Sequence, residues 1–94
     1  MAMKFKWDAV KARMNIQRHQ IDFEEAKTVF NDPFLLTFPD ADHSEGEYRY
    51  LSLGQSVYAR TLVVIHTEQR SVIRIISCRK ATRKERKTYE EGNL

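Results

Sequence analysis

The chain contains a single cysteine, Cys78, so it can form neither an internal disulfide nor a cysteine-based zinc cage. Three glycines and two prolines are too few for a disordered or loop-dominated chain. Apolar runs such as Leu62-Val63-Val64-Ile65 fall far short of the roughly 18 residues needed to span a bilayer. No basic segment precedes an apolar stretch and a small-residue cleavage site, so the expected location is the cytoplasm. Also missing are a Gly-rich phosphate loop, a His-x-x-x-His pair and a nucleophile elbow. His43 lies among Asp40, Asp42, Glu45 and Glu47, but these make at best a poor, flexible cation site, and neither a metal nor a cofactor is expected.

What remains is 94 residues, 41% hydrophobic and 31% charged, which suits one domain spanning residues 1–94 with one core. The net charge of +3 conceals a strong asymmetry. Residues 1–21 carry +4, residues 22–47 carry −7 and residues 48–94 carry +6. Cations are densest from Arg79 to Lys87, a stretch suited either to phosphates or to a merely solvated helix face.

The patterning predicts a short strand at Phe5-Lys6-Trp7 and a helix capped by Asp8 that ends near His19-Gln20. A second helix starts at Asp22, with Glu25 reaching back to the cap and Ile21 stapling onto Ala26. Phe23, Ala26, Val29 and Phe30 form its core stripe, and Asn31-Asp32-Pro33 ends it. Strands follow at Phe34–Phe38, Tyr48–Leu53, Tyr58–Thr67 and Val72–Arg79, with a turn around Gly54-Gln55-Ser56. The continuous run in the third of these predicts a central strand. A last helix starts at Thr82, with Glu85 completing a capping box, and ends at Gly92. The expected fold is α+β, in the order β-α-α-β-β-β-β-α, with an antiparallel sheet and helices mainly on one face.

Glu47 and Arg49, two apart on a strand, share a face with Leu51 and Leu53. They form either a strand-edge ion pair or a base beside a phosphoryl clamp. Alternation also puts Ile73, Ile75, Ser77 and Arg79 on one face, so that Arg49 and Arg79 converge on one anion if their strands are close; otherwise Arg79 only leads into the helix. His19, at a helix C-terminus, is either a cap or packing residue, a general acid or a phosphate contact. Trp7 is a core residue or a stacking platform for a base. His66 and Cys78 read as packed, and Arg60 and Arg74 as strand-face charges with no assigned role.

Three blocks together carry a specific resemblance. They are Trp7-Asp8-x-x-Lys11-x-x-x-Asn15-x-x-x-His19-x-Ile21-x-Phe23-x-x-Ala26, Glu47-x-Arg49 followed by Gly54, and Arg74-Ile75-Ile76-Ser77-x-Arg79-x-Ala81-x-x-x-Glu85-Arg86-x-x-Tyr89. In this order and spacing the chain resembles the BrnT-type toxins over residues 3–90. It departs from the family pattern at Gln20, where a glycine is usual, and at Cys78, where a small residue is common.

The resemblance implies a RelE-like ribonuclease toxin of a type II toxin–antitoxin pair that blocks translation. Its implied partners are RNA and a BrnA-type antitoxin with a DNA-binding domain. The complex would sit on operator DNA and could hold the chain as a homodimer. Metal-independent cleavage by the RNA 2′-OH fits this reading. Arg49 and Arg79 would hold the scissile phosphate, Glu47 would act as base or orient Arg49, and His19 or Lys11 would protonate the leaving oxygen. Lys80, Arg83, Arg86 and Lys87 would bind flanking phosphates, with Trp7 or a tyrosine stacking on a base. Two alternatives stay open: a non-catalytic basic module that holds nucleic acid, and a face that mainly receives an acidic antitoxin segment.

Overall fold

The structure is a computed structural model and describes residues 3–40 and 46–92. Ala41, Asp42, His43, Ser44 and Glu45, and with them most of the acidic loop considered for a cation, lie outside the described residues. The elements run β1 (Lys4–Trp7), α1 (Ala9–His19), α2 (Phe23–Thr28), a 3-10 turn (Val29–Asn31), β2 (Leu36–Pro39), β3 (Tyr50–Gln55), β4 (Thr61–Gln69), β5 (Val72–Lys80) and α3 (Arg83–Glu91). This is the mixed α+β order that the patterning predicts. The strand starts shift by a few residues, and the expected turn at Gly54 is interior to β3, with the chain reversing after it at residues 56–60.

The sheet order is β1-β5-β4-β3-β2. β2 to β5 form an antiparallel meander, and β4 is central, as its apolar run requires. β1 departs from the antiparallel expectation: it pairs parallel to β5, with Lys4 opposite Val72 and Trp7 opposite Ile75. A parallel neighbour needs a crossover rather than a hairpin, and the helices and the meander between β1 and β5 supply it.

One sheet face carries the main core. Leu62, Val64, Ile73, Ile75 and Cys78 pack there against Ile21, Phe23, Ala26 and Val29. Gly54 lies on this face, where a Cβ would come within 2.8 Å of the Leu35 side chain and 3.3 Å of the Val29 Cβ. His66 is fully buried in the same layer, bonded through Nε2 to the Ser52 hydroxyl at 2.7 Å and stacked on Tyr50. Burial pushes its imidazole down to about 4, so it is a neutral packing residue. Cys78 is likewise inert: its thiol is pushed up to about 12 by burial.

α1 is largely exposed and is held by one polar residue. Asn15 donates from Nδ2 to the Ile21 carbonyl at 3.0 Å and the Cys78 carbonyl at 2.9 Å, and its Oδ1 accepts the Cys78 N–H at 3.0 Å. The side-chain amide thus continues the ladder of β5 beyond the end of β1. Asn15→Leu is expected to cost about 3 kcal/mol, because it strands both Cys78 backbone groups in a buried place. Urea denaturation would measure the loss. Gln20, at the usual glycine position, ends α1 in the left-handed region at φ 57°, and its side chain donates to the Gln17 carbonyl.

α2 corrects a second expectation. Asp22 caps it through the Glu24 N–H, but Glu25 does not complete a capping box. It is buried and accepts from the Ser56 hydroxyl at 2.7 Å and from Arg60 Nε at 2.9 Å, with a further ion pair to Arg60 Nη2. At the other end of the chain, Thr82 and Glu85 do form the predicted capping box. Tyr89 anchors α3 by donating its hydroxyl to Asp32 at 2.5 Å.

Candidate active site

A β-bulge determines which arginines share a face. Ile65 pairs with Ser77, but His66 pairs with Ile75, so Ile76 is an extra residue in β5. The extra residue reverses the alternation. Ile73, Ile75 and Cys78 point to the core, while Arg74, Ser77 and Arg79 occupy the other face. The expected single row of Ile73, Ile75, Ser77 and Arg79 is therefore broken, because Ser77 and Arg79 leave the core face. Arg74, a strand-face charge with no role assigned from the sequence, precedes the bulge and alternates with Ile73 and Ile75, and it meets Glu47 on the face opposite them.

There the three side chains meet. Glu47 Oε1 forms an ion pair with Arg74 Nη2 and lies 3.8 Å from Arg49 Nη2. Arg74 is opposite Thr67 on β4, and Arg49 immediately precedes the Tyr50–His66 pair, so the two arginines come to Glu47 from either side of β4. Lys11, from the first turns of α1, closes the arrangement. With Asp8, Arg49, Arg74, Ile75 and Ile76 it lines a depression of about 270 Å³. Asp8 is occupied as the N-cap of α1, accepting from the Val10 and Lys11 N–H groups. A second depression of about 210 Å³ adjoins the first, shares Lys11 and Ile76 with it, and contains His19.

The remaining candidates lie elsewhere. Arg79 does not converge with Arg49. It sits at the level of Val63 and Leu53, roughly 15 Å along and across the sheet from Arg49 by strand spacing. Its guanidinium makes a fork to Glu85 at 2.7 and 2.9 Å, and this pairing holds the Glu85 carboxyl down at about 2. Arg79 therefore fastens the start of α3. Trp7 packs edge-on against Phe23, its ring centroid 5.9 Å away, and joins the core rather than the cleft, because β1 presents it on the core face. Lys80, Arg83, Arg86 and Lys87 are exposed around α3 and form a separate basic surface. Tyr48, between Glu47 and Arg49 in sequence, exposes its ring to solvent.

A family model described as ribonuclease toxin, BrnT, of type II toxin–antitoxin system matches residues 7–85. The chain is thus of the class of ribonuclease toxins that act in type II toxin–antitoxin systems. It belongs to the BrnT family. The fold agrees: the 1.1 Å crystal structure of the Brucella abortus ribonuclease toxin BrnT superposes with a TM-score of 0.66 at 27% identity, covering 87% of this chain and 100% of that one. No curated protein sequence gives a significant match. Among the described residues no helix is long and apolar enough to cross a membrane.

Proposed function

We propose that the chain cuts single-stranded RNA without a metal, by attack of a ribose 2′-OH on the adjacent phosphorus. The products are a 2′,3′-cyclic phosphate and a 5′-OH end. The observation that carries this reading is the Glu47-bridged pair of Arg49 and Arg74 beside Lys11. Two forked guanidiniums suit the equatorial oxygens of a pentavalent phosphate and neutralise its developing charge. Glu47 holds both arginines and takes the 2′-OH proton, and the Lys11 ammonium protonates the leaving 5′-oxygen. The α3 cations bind phosphates further along the strand, and Tyr48 offers an exposed ring to a base.

Membership of a type II toxin–antitoxin family implies an antitoxin partner. We take it to be of the BrnA type, with a DNA-binding domain that carries the complex to operator DNA. The test uses purified protein and 5′-labelled single-stranded RNA in EDTA. Discrete cuts ending in 2′,3′-cyclic phosphate, lost in Arg49→Ala, are the expected result. Retention of RNA in a gel shift with no new ends would instead favour a basic module that only holds nucleic acid, and the exposed α3 patch would be its surface. Arg79→Ala is expected to weaken RNA retention, because it releases the start of α3 from the sheet.

A further inference from the structure

The second depression, between α1 and β5, has its own chemistry. Lys11, Asn15 and His19 follow one another at four-residue spacing along α1, and Arg18 stands beside them on its last turn. Asn15 is committed to the backbone of Ile21 and Cys78 and forms the floor. Lys11, Arg18 and His19 thus ring the opening, and Ser77 of β5 completes the lining opposite them. No carboxylate belongs to the described lining. A recess with three basic groups and no lining acid is matched to an anion. Its walls are not only polar: Met14, 49% exposed, and Ile76 give it an apolar side. A phosphate joined to a flat apolar-faced ring satisfies both halves, and that is the composition of a nucleotide.

The recess shares Lys11 and Ile76 with the depression that holds Arg49 and Arg74. We infer that the α1–β5 recess is a nucleotide subsite. It takes the nucleotide next to the scissile phosphate, with Arg18 and His19 on that nucleotide's phosphate and Met14 and Ile76 against its base. Lys11 stands between the two phosphates. The inference rests on the reading of Arg49 and Arg74 as the scissile-phosphate clamp, and it assigns His19 to substrate binding rather than to protonation of the leaving group. The Ile76 bulge acquires a second purpose, since the residue it adds to β5 is the wall common to both compartments.

The test is a binding titration with uncleavable 2′-O-methyl oligonucleotides, read at the methyl resonance of Met14. The chain has three methionines, so Met14→Leu assigns the signal. A trinucleotide with two internal phosphates is expected to move the Met14 resonance. A dinucleotide with one should occupy the clamp and move it far less. Arg18→Ala is expected to weaken the trinucleotide roughly tenfold relative to the dinucleotide, as loss of one charge-assisted contact would. Trinucleotides with a neutral methylphosphonate on the 5′ or the 3′ side then show which neighbour the recess accepts. A silent Met14 at saturation overturns the subsite, as does an Arg18→Ala variant that weakens both ligands by one factor. Cleavage assays run in parallel separate the two readings. RNA cutting with a silent Met14 leaves the ribonuclease and removes the subsite. A responding Met14 without cutting leaves a nucleotide-binding recess and removes the ribonuclease.

Discussion

Arg74→Ala is expected to lower kcat/KM for RNA cleavage by about 10²–10³-fold, the range seen when one preorganised donor is removed from a charge-developing site. The size of the effect follows from its place. Arg74 is one of two guanidiniums bridged by a single carboxylate, and it stands on a strand rather than a loop. Removing it takes away a forked donor, and it also frees Glu47 to close on Arg49 and compete with substrate for that group. Arg74→Lys should recover only a small part of the rate, because an ammonium offers a point charge in place of two parallel donors. Stability should hardly change, since the side chain is 38% exposed and surface ion pairs contribute little. The measurement is the initial rate on labelled RNA beside a thermal melt. Cleavage within threefold of the parent, with an unchanged melt, would remove this cluster from the mechanism.

Arg74 also marks the limit of what the amino-acid order reveals. Local signals were legible: Asp8 and Asp22 as caps, Thr82 with Glu85 as a capping box, and Leu62–Ile65 as the centre of the sheet. Glu47 and Arg49 were legible as a neighbouring pair two residues apart, although both precede β3 and Glu47 lies in a bend rather than on the expected strand. Arg74 was not, because alternation puts it opposite Ile73 and Ile75, and nothing in the sequence shows that the Leu51 and Leu53 side of β3 also faces away from those two. The expected convergence of Arg49 with Arg79 failed for another reason: the bulge at Ile76 does bring Arg79 to the face of Arg49, but at the level of Leu53, too far along the sheet to share an anion. Long-range partners were equally hidden. Asn15 looks like a surface residue of a polar helix until Cys78, 63 residues away, is beside it. Glu25 fits a capping box by spacing, and only the fold shows that the loop at Ser56 and Arg60 claims it instead. β1 is a strand by its own pattern, but its parallel pairing with the last strand is a property of the whole chain.

Glu25 and Arg60 carry the second large effect, on stability. Glu25 keeps only 6% of its surface, and it is ionised because the hydrogen bonds from Arg60 outweigh burial and hold its carboxyl below the usual range. Arg60→Met should therefore cost about 4 kcal/mol at neutral pH, since it leaves a buried carboxylate without its counter-charge. Protonation is the way out of that penalty, so the variant should lose least near pH 4–5, on the order of the ordinary glutamate range. In the parent the sign is opposite. A carboxyl held down by folding stabilises above its unfolded pKa, and the contribution fades as pH falls through the lowered folded value. Glu85, held at about 2 by Arg79, adds to the same loss in acid. Parent and variant stabilities, measured by urea denaturation from pH 7 down to pH 4, should thus converge as the solution is acidified. A double variant, Glu25→Gln with Arg60→Met, should recover part of the stability at pH 7 because it removes the stranded charge. A constant gap across the pH range would mean that Arg60 stabilises the loop by packing alone.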